Sequence, residues 1–342
     1  MAESFSNPTL ADVARHAGVS TATVSRTLNL PDHVNPLTRE RVTTAIRELG
    51  YTPNYSARAL ASNRSNTIGA VIPTIDNAIF ARGIQAFQEE LSESGVTLLI
   101  ASTGYQPDQE EEQIRNLVAR GVDGLMLIGT HRHESIYAYL KDRRIPYVLT
   151  WCVDGMGHPY VGFDNRLAAQ SLARRVIALG HQRIGMIAGI SKYNDRSADR
   201  IVGVRDAMSE AGLDRNDLIL TERHYTLTAG GQALEEITKF HPDVTAVICG
   251  NDVLAAGAIL TARQLGIGVP ERLSITGFDD IELASAVNPA LTTIHVPHRR
   301  MGQFAAQKLL ALRDDPTSRI ESMEMETDLI ERQSLGPPRA GF

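Results

Sequence analysis

From residue 67 to about residue 280 the chain alternates short apolar runs with longer stretches of helical periodicity. Residues 68–72 precede a stretch with Phe80, Ile84, Phe87 and Leu91 at helical spacing; 96–101 precede one ending at 117–120; 124–128 precede 135–143, and 147–150 follow. The pattern resumes with helical stretches at 166–179, 198–211, 229–239 and 253–265 and apolar runs at 184–188, 246–249 and 273–278. A run that is apolar throughout, not only at every second position, suits a strand buried on both faces, as in a parallel sheet covered by helices. The class is therefore α/β. About eight βα units can close a barrel or form two open, doubly wound sheets, and periodicity leaves both open.

The segment before this body is different. Thr9-Leu10-Ala11-Asp12 offers a hydroxyl cap with a carboxylate three residues on, and Leu10, Val13, Ala14 and Ala17 share one helical face before Gly18. Ser20 caps a second helix over 21–28, with Val24, Thr27 and Leu28 on one side and Ala22, Ser25 and Arg26 on the other. Asn35-Pro36 opens a third, running through Val42, Ile46 and Leu49 to Gly50. Two short helices joined by the Gly18-Val19-Ser20 turn and closed by a third make a helix-turn-helix. The second helix carries small and polar side chains and one projecting Arg, which suits close approach to a major groove and pairing with guanine. Thr21, Ala22 and Arg26 are the base-reading candidates; a three-helix bundle without a nucleic-acid partner has the same spacing. After Pro53, Asn54 can cap a segment over 55–63, too short to hold as a helix without a partner. Its alanines would let two copies pack closely, Leu60 could wedge between bases, and Arg58 or Arg64 could meet phosphate.

The net charge of −6 argues against a polyanionic partner only as an average. Residues 1–64 hold seven Arg and five acids, a net of +2, and the remainder carries −8. With 342 residues, 43% hydrophobic and 22% charged, the chain can bury sizeable cores and is neither disordered nor a small stapled scaffold. Cys152 and Cys249 lie far apart without Cys-x-x-Cys or paired-His spacing, so buried reduced thiols are expected and a zinc site is not. Glu110-Glu111-Glu112 reads as a helix first turn and His131-Arg132-His133 as a loop. No apolar run reaches the ~18 residues of a membrane span, and the first seven residues have neither a basic nor an apolar signal-peptide region. A cytoplasmic location is expected.

Thr9-Leu10-Ala11-Asp12-Val13-Ala14, Gly18-Val19-Ser20-Thr21-Ala22-Thr23-Val24-Ser25-Arg26, Gly50-Tyr51-Thr52-Pro53-Asn54 and Ala59-Leu60-Ala61 together resemble the lactose-repressor and purine-repressor (LacI/GalR) family, over nearly the whole chain. The resemblance implies three parts: a helix-turn-helix head over 1–53, a hinge helix over 54–64, and an effector-binding and dimerisation body over 65–342. That body would be two periplasmic-binding-protein-like lobes, about 65–164 with 293–325 and about 165–292 with 326–336. Thr27 stands where the family often has an aliphatic residue. By resemblance the second helix reads the major groove, with Thr9, Ser20, Ser25 and Asn29 beside the base readers. Paired hinges, with Asn54, Ala57, Arg58 and Leu60, would enter the minor groove at the centre of a near-palindromic operator.

Ligands of open α/β sheets sit beyond the carboxyl ends of strands. Asn251-Asp252 and Asp279-Asp280 occupy such ends and offer oxygen acceptors for hydroxyls, with Asn251 adding an amide donor; Arg200, early in a helix at the same edge, can hold a hydroxyl pair or an anion. By resemblance Arg200, Asn251 and Asp279 match effector-cleft positions, Phe80 and Tyr225 match aromatic positions, and Trp151 stands near the cleft where relatives often have a polar residue. Asp164, His298 and Asn77 complete the candidates. No phosphate-binding glycine motif or nucleophile elbow is present, so no catalytic residue and no cofactor are assigned. The expected function is a homodimeric repressor released from operator DNA by a sugar, sugar acid or related metabolite. The alternatives are a corepressor-dependent repressor or an activator of the same family, and a sugar-binding protein without DNA function. The tail lacks a leucine heptad, so a coiled-coil tetramer is not expected.

Overall fold

The computed structural model describes residues 8–52, 64–76, 78–315, 318 and 321–339. The chain divides into two compact units, Met1–Ser65 and Asn66–Phe342. The hinge candidates Asn54, Ala57, Arg58 and Leu60, and Asn77, lie outside the described residues.

In the first unit α1 (Leu10–Ala17) starts with a complete capping box: Thr9 accepts from the Asp12 N–H, and the Asp12 carboxylate accepts from the Thr9 N–H. It ends at Gly18, whose φ of 62° is the left-handed conformation the turn needs. Ser20 caps α2 (Thr21–Asn29), and Asn35 caps α3 (Pro36–Leu49). Val13, Ala14, Ala17, Val24, Val42 and Ala45 form the small core, and Arg41 ties α3 to the turn by donating to the Ala17 carbonyl. Thr27 is buried in place of an aliphatic residue, and its hydroxyl is satisfied by the Thr23 carbonyl at 2.8 Å.

In the second unit the chain runs β1 (Thr67–Ile72), α4 (Ala78–Glu93), β2 (Thr97–Ser102), α5 (Pro107–Ala119), β3 (Leu125–Ile128), α6 (Glu134–Asp142), β4 (Tyr147–Thr150), β5 (Tyr160–Gly162) and α7 (Asn165–Ala178). It continues through β6 (Ile184–Gly189), α8 (Asp195–Glu210), β7 (Ile219–Arg223), α9 (Leu227–Phe240), β8 (Ala246–Cys249), α10 (Asp252–Gln264), β9 (Ser274–Thr276) and α11 (Glu282–Ala286). The last elements are β10 (Thr293–His295), α12 (His298–Asp314), β11 (Met323–Glu324) and β12 (Asp328–Ile330).

The strands resolve the choice between a barrel and open sheets. One parallel sheet has the order β11-β5-β4-β3-β1-β2 and a second has β7-β6-β8-β9. Each is doubly wound, with its order reversing beside its first strand, the place where such sheets open a crevice. The chain passes between lobes after β5, between β10 and α12, which packs on α4, and again between β11 and β12, which pairs antiparallel with β10. β1, β3, β6 and β8 are almost wholly buried, as continuous apolar runs require, while the edge strand β2 is partly exposed along its length.

Candidate effector cleft and reader helix

The crevices of the two sheets face each other, and α8 brings its charged side chains to them. Arg200, buried in α8, is fixed on three sides: Nε donates to Asn165 Oδ1 at 2.9 Å, Nη1 donates to the Gly250 carbonyl at 2.6 Å, and the guanidinium lies 3.7 Å over the Phe278 ring. Its Nη2 stands 3.6 Å from Asp279 Oδ1. Asn165 in turn donates to the Trp151 carbonyl at 2.9 Å, so one hydrogen-bonded chain links β4, α7 and α8 across the lobes.

Asp279 is fully buried, yet neither of its carboxylate oxygens accepts a hydrogen bond. Burial pushes its carboxyl up to about 6, opposed by Arg200. Opposite it, His298 Nδ1 accepts from the Trp151 indole N–H at 3.0 Å, which leaves the ring proton on Nε2 of the neutral form. That Nε2 lies 3.8 Å from Asp279 and has no partner. Burial, with Arg200 beside it, lowers His298 to about 3, so the ring is neutral. Asn251 uses Oδ1 to cap α10 at the Leu254 N–H, and its buried Nδ2 is also unpaired. An unsatisfied buried polar group costs about 1–3 kcal/mol, and native structures keep few of them. Here acceptors on Asp279, donors on Asn251 and His298 and an Arg200 edge lie in one region, a set matched to vicinal hydroxyls.

Two sequence expectations are corrected. Asp252 is not free for a ligand, because Oδ1 accepts from Thr293 Oγ1 at 2.6 Å and Oδ2 from the Ile281 N–H at 2.8 Å. Asp280 is bound by Arg332 at 2.6 Å and His295 at 3.0 Å. Both acids brace the strand end that carries Asp279. Asp164 caps α7 through the Leu167 N–H. Phe80 is buried edge-on against Trp151, and Trp151 stacks on His298, so these aromatics form a wall behind the polar set.

Tyr225 lies further out. It lines a cavity of about 180 Å³ with Tyr105, Tyr193, Gln106 and His224, and its ring centre is 6.5 Å from that of Tyr105. Tyr105, Trp151, Tyr193, Asp279 and Asp280 all have positive φ, and such non-glycine backbone costs of order 1–3 kcal/mol each and clusters at functional sites. Sequence reasoning missed Tyr105, Asn165, Asp195 and Arg196. For Arg196 a signal was present: it stands four residues before Arg200, on the same helical face.

In the head, Thr9, Ser20, Thr21, Ala22, Arg26 and Asn29 are exposed and Ser25 is half-buried. Thr9 and Ser20 serve as caps, and Asn29 donates to Ser25 at 3.3 Å. Arg26 is directed away from the core with no acidic partner among the described residues. In both units the described residues include no group of three His, Cys, Asp or Glu able to hold a metal, and no helix long and apolar enough to cross a membrane. Cys152 and Cys249 are buried and free, and burial pushes both thiols up.

Comparison with known proteins decides the family. Residues 9–54 match the family of bacterial regulatory proteins of the lacI type, and residues 173–335 match the periplasmic binding protein-like domain. The transcriptional regulator GntR of Pseudomonas aeruginosa is 35% identical, over 96% of this chain and 95% of its own. The transcriptional repressor PurR of Aliivibrio salmonicida is 34% identical, over 96% and 98%. The chain belongs to the LacI family. It is a DNA-binding transcriptional regulator with a two-lobed periplasmic-binding-protein-like body. A LacI-family regulator from Silicibacter pomeroyi superposes on it with a TM-score of 0.88 at 28% identity, covering 96% of this chain and 99% of that one. The lac repressor dimer bound to operator and the anti-inducer ONPF does so with 0.85 at 26%, covering 96% and 99%.

Proposed function

We propose that this LacI-family chain is a cytoplasmic, homodimeric repressor without catalytic activity, released from a near-palindromic operator by a small polyhydroxylated metabolite bound between its lobes. The observation that carries this reading is the set of buried polar atoms on Asp279, His298 and Asn251 that make no hydrogen bond, beside Arg200. Hydroxyls of a sugar or sugar acid would satisfy all of them, and neither lobe alone holds the whole set. Phe80 and Trp151 back the polar set, and Tyr225 would offer a ring face to a sugar from the cavity it lines with Tyr105. In the head, Thr21, Ala22 and Arg26 read base edges, while Thr9, Ser20, Ser25 and Asn29 position α2 on the backbone. The hinge residues Asn54, Ala57, Arg58 and Leu60 complete the operator contacts by opening the minor groove. A ligand that binds one lobe arrangement better than the other shifts the DNA affinity by that difference and no more. The complex of a CelR regulator with cellobiose supports a carbohydrate class of effector.

The test is electrophoretic retardation of the protein's own promoter DNA at low salt. The expected result is a shift with ligand-free protein that a sugar or sugar-acid panel reverses. No shift, with or without the panel, overturns the reading.

A further inference from the structure

Arg196 is the second buried arginine of the cleft and has no part in the hydroxyl-binding set. It stands one turn before Arg200 on α8, and Tyr105 feels the charge of both guanidiniums and of Asp279. Its Nη1 donates to Asp195 Oδ1 at 2.6 Å, while Nε and Nη2 form no hydrogen bond among the described residues. The arginine lines a cavity with Thr103, Tyr105, His131 and Tyr193. Gly129, at the carboxyl end of β3, makes room for it: a Cβ there would fall 2.1 Å from Nη1.

Asp195 does not use up this cation. Its Oδ1 also accepts the Arg196 backbone N–H at 2.9 Å, and its Oδ2 accepts both the N–H and the hydroxyl of Thr130, the latter at 2.8 Å. Thr130 belongs to the first lobe and Asp195 to the second, so the carboxylate latches the lobes while holding one corner of the guanidinium. The other acid of this cavity, Glu110, is taken by Arg132 at 2.9 Å. Lys192 lies 5.0 Å from the ring centre of Tyr193, which lines both this cavity and the neighbouring one that Lys192 lines. The lining thus has a buried, forked, partly unbonded cation and no unengaged carboxylate.

We propose that the effector is a sugar acid, an aldonate or uronate, whose hydroxyls meet Asp279, Asn251 and His298 and whose carboxylate takes the free edge of Arg196. The inference rests on the polyol-binding reading of the cleft and adds the charge to it. A carboxylate matches the planar guanidinium edge with two parallel bonds. A phosphate dianion would set a doubled charge against Asp195 with one half-engaged guanidinium to offset it, so phosphosugars are expected to bind worse than sugar acids. Because Asp195 joins Arg196 to Thr130, a carboxylate on Arg196 also bears on the contact that closes the lobes.

The experiment is titration calorimetry of the full chain with D-gluconate, D-galactonate, D-glucuronate and D-galacturonate, each against the neutral aldose and its phosphate. At least one acid should bind about tenfold or more tighter than its neutral and phosphorylated counterparts, the loss expected for a charge-assisted hydrogen-bonded pair. Arg196→Gln should erase that preference and Arg196→Lys should restore part of it, with folding of both variants checked by thermal unfolding without ligand. Neutral sugars binding as well as the acids, or an acid preference unchanged in Arg196→Gln, would overturn the assignment and leave the polyol cleft standing. A phosphosugar preference would overturn it in favour of the other anion. No binding by any member would remove the polyol reading and the sugar-acid assignment together.

Discussion

The reader helix and the cleft hold their functional groups in opposite ways. On α2 the side chains of Thr21 and Arg26 are exposed, so water satisfies them until another partner replaces it. In the cleft the carboxylate oxygens of Asp279, Nε2 of His298 and Nδ2 of Asn251 are buried without a hydrogen-bond partner among the described residues. The reader can therefore rest on a core of six small residues, Val13 to Ala45, because holding its groups ready costs little. The cleft needs the larger body, whose acids Asp252 and Asp280 are spent on bracing the strand end that carries Asp279. On the proposed function, ligand free energy goes into base discrimination at the reader and into relief of unsatisfied burial at the sensor.

The largest expected effect breaks the sensor alone. Asp279→Ala removes both acceptors, and the response of operator binding to effector should fall by about a hundredfold or more in effector concentration, corresponding to ~3 kcal/mol. Operator affinity without ligand should stay as it was. A normal response, read by DNA retardation across an effector titration, would take Asp279 out of the site.

A second effect sharpens the contrast through pH. Asp279 titrates near 6 in the folded chain, above an ordinary carboxyl, so the native state holds its proton longer than the unfolded state. Stability from this group is therefore lost as pH rises from about 4 through 6, by up to ~3 kcal/mol. His298, lowered to about 3, works the other way, losing stability as pH falls below its ordinary 6.5. Asp252, raised by burial and by Asp279, adds to the first trend, and Arg200 opposes it. Asp279→Asn should accordingly gain on the wild type in thermal unfolding between pH 4 and 7. Parallel curves for the two proteins would contradict the burial of a carboxyl that accepts no hydrogen bond.

The third effect belongs to the reader. Arg26→Ala should cost ~1–3 kcal/mol of operator affinity and relax discrimination at one base position. An equal loss on random DNA, measured by fluorescence anisotropy, would make Arg26 a phosphate contact instead.

The head was legible in the sequence because its signals are local. The Thr9 and Asp12 box, the Gly18 turn, the Ser20 cap and the Asn35-Pro36 start each lie within four residues of what they fix. The body was legible only as an alternation. A βα unit looks the same in a barrel and in an open sheet, and β5, β7 and β10 to β12 are short or partly exposed strands without a distinctive run. Arg200, Asn251 and Asp279, the residues proposed for the cleft, stand near strand ends and helix starts that the alternation marks. The fates of Asp252 and Asp280 were not legible there, since Thr293 and Arg332, which claim them, stand 41 and 52 residues away. Arg196 was passed over because its importance lies in Gly129 and Thr130 on the other lobe.

On the proposed function the cleft and the reader are two ends of one equilibrium. Linkage makes that claim quantitative, since the factor by which an effector changes operator affinity must equal the factor by which operator changes effector affinity. The direct measurement is the affinity of the full-length dimer for the tightest-binding sugar acid, taken with and without saturating operator DNA, beside its operator affinity with and without that acid. Equal factors, of order 5- to 150-fold, are predicted, with operator and acid weakening each other. A factor of one in both directions would show that the cleft does not govern DNA binding.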